Sequence, residues 1–228
     1  MKALPVILSW SGGKDSALAL HALRQDPQYE VRGLLTSVNA RYQRISMHGV
    51  RETLLDAQAE SIGLPLHKLR LSERPSNEEY EAKMRAILQA FRARGIRHVA
   101  FGDLFLEDIR RYREKNLAQV HMECLFPLWQ SPTHKLAREF IALNFKAVLC
   151  CVDGEALDGG FVGREYDEQL LRQLPPRTDP CGENGEFHTF VYAGPVFKHA
   201  IHFTRGEHVN RDERFYFCDL IPVQEALV

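Results

Sequence analysis

Residues 4–20 read Leu4-Pro5-Val6-Ile7-Leu8-Ser9-Trp10-Ser11-Gly12-Gly13-Lys14-Asp15-Ser16-Ala17-Leu18-Ala19-Leu20. The apolar run from Pro5 to Trp10 reads as a buried strand. The segment from about Ser16 to Arg24 reads as a helix that stops before Asp26-Pro27, since the residue ahead of a proline avoids helical backbone. Between them stand two adjacent glycines. Without side chains they let the backbone come close to a ligand and turn its N–H groups toward one point. The helix start adds further N–H groups and the positive end of the helix dipole. Strand, Gly-Gly turn and helix in this order make an anion site, and phosphate is its natural occupant. Lys14 adds a point charge, Ser11 and Ser16 add hydroxyl donors, and Asp15 is either a helix cap or a magnesium ligand. The ordinary P-loop is excluded. It needs an earlier glycine and a Ser or Thr after the lysine, whereas position 15 is Asp and no glycine precedes Gly12.

Outward from this stretch, strand-like runs alternate with helix-period segments, the pattern of βαβ units and a doubly wound parallel sheet. Val31 to Val38 reads as the second strand. Val50, Leu54, Ala57 and Ser61 follow at helical spacing, stopped by Gly63. After a strand over Leu66 to Leu71, Ser76 and Glu79 form a capping box. It opens a helix whose apolar face is Tyr80, Met84, Ile87, Leu88 and Phe91. A fourth strand, His98 to Gly102, a helix through Ile109, Tyr112, Asn116, Leu117 and Val120, and a short strand at Cys124 to Leu128 complete this half. Beyond 126–131 the character changes. Ser131-Pro132 caps a helix, Ala147 to Val152 is another buried strand, a Gly-rich stretch leads to a helix with Tyr166, Leu170 and Leu174, and strands and loops follow from Phe187. The boundary expected here divides 1–127 from 128–228, a smaller α+β domain.

With 228 residues, 45% of them hydrophobic, the chain has ample material for a core. Twenty-nine basic against thirty acidic residues leave a net charge of -1, so no whole-chain field recruits a polyanion, and a nucleic-acid partner is not expected. Five cysteines, odd in number and without a C-x-x-C pair, suggest neither a disulfide framework nor a zinc ribbon. The longest apolar runs fall far short of the roughly 20 residues of a membrane span. The first of them leads into the Gly-Gly turn without a small-residue cleavage pattern, so the chain reads as cytoplasmic. An oligomer is left open.

In a parallel α/β sheet, ligands sit beyond the carboxyl ends of the strands. That rule adds Thr36 and Ser37, at the end of the second strand, Met47 and His48 just after it, and Gly102 and Asp103 at the end of the fourth. Asp103 is by position the second magnesium ligand, with a turn or cap role as the other reading. His48 either lines the nucleotide pocket or caps the following helix.

The six residues Ser11 to Ser16 resemble the pyrophosphate-binding loop, S-G-G-x-D-S, of the adenine nucleotide alpha-hydrolase superfamily, whose enzymes cut ATP between the α and β phosphates. The resemblance implies a Rossmann-like sheet, ATP with Mg2+, and AMP transfer with loss of pyrophosphate. A second stretch, Cys181-Gly182-Glu183-Asn184-Gly185-Glu186-Phe187-His188-Thr189 followed by Gly194-Pro195-Val196-Phe197, is similar to the G-E-x-G-E-[FY]-x-T signature of the diphthine-ammonia ligase family. Gly102-Asp103 with Arg110-Arg111, Leu128-Trp129-Gln130 and the Gly-rich loop at 157–165 agree, so the likeness covers roughly residues 4–200. It implies that ATP activates a carboxylate, that of diphthine on elongation factor two, as an acyl-adenylate, and that ammonia then displaces AMP to leave an amide. Lys14, Asp15, Glu183 and Glu186 are then the catalytic candidates. Gly182, Asn184, His188 and Thr189 line the substrate turn, with Trp129 as a wall. Asn184 and His188 depart from the family's usual Gly and Glu. That leaves open another acceptor, such as a small-molecule acid of corrinoid type, another amine, tRNA thiolation after adenylation, or a nucleotide-binding module without turnover.

Overall fold

The computed structural model describes residues 2–42, 44–45 and 48–223. The chain runs β1 (Leu4–Ser9), α1 (Lys14–Gln25), β2 (Tyr29–Asn39), the two-residue β3 (Arg44–Ile45), α2 (Glu52–Ile62), β4 (Leu66–Leu71), α3 (Asn77–Ala93), β5 (His98–Ala100), α4 (Glu107–Ala118) and β6 (Glu123–Leu125). It continues through α5 (Thr133–Ala142), β7 (Lys146–Asp153), a 3-10 turn at Gly159–Phe161, α6 (Glu168–Gln173), β8 (Phe187–Ala193), β9 (Phe203–Arg211) and β10 (Phe215–Pro222). The described residues form two compact units. One holds 2–11, 15–42 and 64–131, and the other 12–14, 44–45, 48–63 and 132–223.

In the first unit, β4, β2, β1, β5 and β6 lie side by side in that order, all parallel. The chain fills one side of β1 and then the other, so the expected doubly wound sheet is present and its order reverses at β1. The strand is apolar throughout because it is central: Val6, Ile7 and Leu8 are buried. Leu88 and Phe91 of α3 and Leu117 of α4 pack on Ile7, Leu35 and Val99. The α3 start is half a capping box. Ser76 accepts the Glu79 N–H at 3.2 Å, while the Glu79 carboxylate turns to the Ser72 N–H and hydroxyl and to Lys83.

The second unit carries an antiparallel sheet in the order β8, β7, β10, β9. Residues 44–63 join it through Asp219 on β10, whose carboxylate accepts from Arg51 at 2.6 Å and Arg44 at 2.9 Å. Gly49, at φ +67°, lies against Phe217, where a Cβ would stand 2.7 Å from the ring. Behind β7 and β8, Phe140 stacks on Phe145 with ring centroids 4.9 Å apart and meets the edge of Tyr166 at 5.4 Å.

Several boundaries differ from expectation. β2 runs on to Asn39, so Thr36 and Ser37 are ladder residues paired with Lys68 and Leu69 of β4 and do not end the strand. β5 stops at Ala100, which puts Gly102 and Asp103 in the loop after it. Tyr166 stands outside α6, because Asp167 caps that helix by accepting the Leu170 N–H at 2.7 Å and the Tyr166 N–H pairs instead with Ala147 O. On α4 only part of the expected apolar face turns inward: Leu117 and, just past the helix, Val120 are buried in the core, while Ile109 and Tyr112 nearer the helix start are exposed.

Removing the Phe140 ring takes away both aromatic contacts and leaves a cavity. Phe140→Ala is expected to lower unfolding free energy by about 3–5 kcal/mol in urea titration, with the slope unchanged.

Candidate functional site

β1 ends at Ser9, and the Trp10 N–H continues the ladder to Leu35 O at 2.7 Å. The next residues leave the carboxyl end of β1 at the place where strand order reverses, and α1 begins at Lys14. Within the first unit, Ser11 and Ser16 bring their hydroxyl oxygens to 3.2 Å. Gly102 is a glycine because the first turn of α1 passes against it. A Cβ there would stand 2.9 Å from the Asp15 carbonyl carbon and 3.1 Å from the Ser16 nitrogen. Asp103 makes a two-point ion pair with Arg113, at 3.0 Å for one of its bonds, and the Arg113 guanidinium lies 4.3 Å over the Phe101 ring. Trp129, half-buried in the turn after β6, stacks under the Arg110 guanidinium at 4.7 Å and against Phe126.

The tip of the loop, Gly12 to Lys14, belongs to the second unit, and β8 is what it meets. The Val191 N–H donates to Gly12 O at 2.9 Å. Gln58 of α2, fully buried, donates from Nε2 to Gly12 O at 3.0 Å and to Val191 O at 2.6 Å. The Lys14 N–H donates to the Thr189 hydroxyl at 3.1 Å. Gly12 sits at φ +77°, with Gln58 Oε1 2.8 Å from where a Cβ would be, so both backbone angle and space require glycine. The Lys14 side chain is 3% exposed, its ammonium 5.4 Å from the Phe187 ring centre and 6.0 Å from that of Tyr166.

Beside it, His48 and His188 stack with ring centres 4.5 Å apart. His48 Nδ1 lies 3.3 Å from Thr189 O, a carbonyl that can only accept, so this nitrogen carries the proton. Burial, with the Lys14 ammonium second, holds His188 down at about 4. Burial holds His48 well below 6.5, helped by His188 and Lys14 and opposed by the Thr189 carbonyl. Both imidazoles are neutral at physiological pH. Met47 lies outside the described residues.

The turn at residues 182–186 is closed by Glu186. Its buried carboxylate accepts from the Asp179 N–H at 2.9 Å, the Asn184 N–H at 3.0 Å and the Asn184 side-chain amide at 3.1 Å. Asn184 thus closes the turn with a donor that glycine lacks. Gly182, at φ +64°, leaves 2.8 Å between a Cβ and Phe187 O. Glu183 is half-buried, its N–H donating to Asp179. The structure therefore brings Gly12, Gly13, Lys14, His48, His188, Thr189, Glu183 and Glu186 into one unit. Ser11, Asp15, Ser16, Thr36, Ser37, Gly102, Asp103 and Trp129 are in the other. Gln58 was legible as a polar residue on the apolar face of Leu54, Leu55, Ala59 and Ile62, though its polarity alone names no partner.

Burial raises four thiols: Cys124 and Cys151 to about 12, and Cys150 and Cys218 above the ordinary thiol range. Among the described residues no cluster of three or more His, Cys, Asp or Glu could hold a metal ion, and no helix is long and apolar enough to cross a membrane.

The model of the diphthamide synthase N-terminal domain matches residues 4–123, and that of the diphthamide synthase C-terminal domain matches residues 132–220. Among curated relatives, diphthine–ammonia ligases of Rattus norvegicus and Mus musculus are each 29% identical over 220 residues, covering 84% of this chain and 79% of theirs. The diphthine–ammonia ligase of Schizosaccharomyces pombe is 25% identical over 225 residues, covering 91% of this chain and 37% of its own.

The histidine pair makes stability depend on pH. The unfolded chain protonates His188 below about 6.5 and the folded protein only below about 4, so folding expels a proton between these values. Stability is full above about pH 6.5 and falls as pH drops toward 4, by on the order of 3 kcal/mol from His188. His188→Gln is expected to flatten the Tm profile across that window. An unchanged profile counts against the neutral pair.

Proposed function

The chain belongs to the diphthamide synthase family, and from that premise we propose that it is an ATP-dependent, amide-forming ligase acting through an acyl-adenylate. A carboxylate oxygen of the acceptor attacks the α-phosphorus, the bond to the β-phosphate oxygen breaks, and pyrophosphate leaves with the electron pair. Ammonia nitrogen then attacks the acyl carbon, the bond to AMP breaks, and nitrogen loses a proton to give the amide.

The observation that carries this reading is the loop itself. Ser11 to Ser16 leave the switch point of a doubly wound sheet, and the loop tip is bonded to β8, the strand that continues the Gly182 to Thr189 turn. Lys14 places a buried ammonium where charge grows on departing pyrophosphate, and Ser11 and Ser16 offer hydroxyl donors. The Lys14 amide is engaged by Thr189, so the ammonium is that residue's contribution. Magnesium fits this donor set, since it keeps waters and phosphate oxygens as ligands and needs only one or two carboxylates. Asp15 would supply one, whereas the Asp103 oxygens are held by Arg113. When bound, the ion neutralises phosphate charge.

Glu186 holds the acceptor turn in shape, which leaves Glu183 as the carboxylate to orient the incoming amine. The relatives are named for diphthine. Diphthine is accordingly the first acceptor to test, and His188, an uncharged imidazole at the family's glutamate position, supports a small-molecule acid of corrinoid type as the second reading. The raised thiols speak against tRNA thiolation, which needs a reactive thiolate.

Incubation with ATP, magnesium, ammonium and either diphthine-bearing elongation factor two or candidate acids is expected to release AMP and pyrophosphate in equal amounts. Lys14→Ala should slow AMP formation on the order of 100-fold. Release of ADP and phosphate would overturn the mechanism, and tight ATP binding without AMP under any acid and amine would favour a binding module.

A further inference from the structure

We propose that Gln58 and Thr189 are positioning residues for the nucleotide, setting the phosphate loop from outside it. The inference rests on the reading that Ser11 to Ser16 bind the outer phosphates of ATP. It moves Thr189 from the acceptor side of the reaction to the nucleotide side.

A loop of adjacent glycines is costly to order, at roughly 1–2 kcal/mol of backbone entropy per residue, so an anion site built on one binds well only if something else fixes its backbone first. Here two donors and one acceptor do so. Gly12 O accepts from both the Val191 N–H and Gln58 Nε2, which fixes the peptide between Gly12 and Gly13. The second Nε2 proton of Gln58 goes to Val191 O, so one amide ties the loop and β8 together with both of its hydrogens. Lys14 is the first residue of α1, and its N–H is one of the amides a helix start cannot pair internally. Thr189 accepts it from another strand, doing the work of a cap. At the 0% exposure of Gln58 a lost partner is not replaced by water.

The test uses the full chain. Pyrophosphate, ATP and AMP affinities are measured by calorimetry for the wild type, Thr189→Val, Thr189→Ser and Gln58→Leu, together with Tm and amide hydrogen exchange at residues 12–14. Wild type is expected to bind all three. Thr189→Val should weaken pyrophosphate and ATP by roughly tenfold, leave AMP within about twofold and speed exchange at 12–14, while Thr189→Ser stays within about twofold of wild type. Gln58→Leu should lose at least as much pyrophosphate affinity, and if it fails to fold the Thr189 pair decides alone. Equal losses for Val and Ser, equal losses for AMP and pyrophosphate, or unchanged affinity with unchanged exchange would each overturn the positioning role while leaving ATP binding intact. A wild type that binds neither ATP nor pyrophosphate removes the nucleotide reading and this inference with it.

Discussion

A buried loop with irregular backbone must find a partner for every N–H and C=O it carries, because each one left bare costs on the order of 1–3 kcal/mol. At Gly12 to Lys14, β8 and α2 meet two of those demands: the Gly12 carbonyl takes two donors and the Lys14 amide takes the Thr189 hydroxyl. The strand cannot serve the loop unless β8 is in register with β7, where Thr189 stands opposite Leu149 and His188 opposite Cys151. β7 in turn is buried along almost its whole length and pairs with β10 on its other side. The backbone of Gly12 to Lys14 is therefore held by a sheet formed from the later part of the chain. Three residues of the loop cluster with that sheet for the same reason.

This dependence explains what the sequence makes readable and what it hides. The alternation of strands and helices, the α3 cap at Ser76 and the Gly-Gly turn are local: each follows from a strand-length apolar run, a capping residue or a conformational requirement within a few positions. Gly102 was marked by position after a strand, and its reason, close passage of the α1 backbone, lies 87 residues away from Asp15 along the chain. Gln58 was passed over because helical periodicity records only that a position faces inward. It does not say that two carbonyls from distant segments wait there. Ile109 and Tyr112 show the converse. Their spacing is that of a core face, and Leu117 and Val120 on the same face are buried, yet these two are exposed, since periodicity fixes which residues share a side and tertiary packing decides how much of that side is covered.

The two departures from the family signature, Asn184 and His188, look independent in the sequence and act at different levels in the structure. Asn184 adds an amide to a carboxylate already collecting two backbone donors, so Glu186 is held by three bonds from its own turn and the turn needs no glycine there. His188 is different, because its ring faces the partner ring of His48 and not the turn. Charge decides what that exchange does. A glutamate at 188 would be an anion within the reach of the Lys14 ammonium, whereas an imidazole held near 4 by burial contributes no charge at neutral pH.

Shape is conserved in one case and charge is removed in the other, so the two substitutions do not compensate each other. The turn keeps its closure through the Asn184 amide, while the position beside the Lys14 ammonium carries no anion at neutral pH. An acid whose recognition relied on a carboxylate at 188, through a cation of its own, would lose that contact without any gain from the stacked imidazoles. Each neutral ring contributes instead one N–H donor and one acceptor nitrogen, so the pair exchanges the charge of a carboxylate for hydrogen-bonding capacity alone.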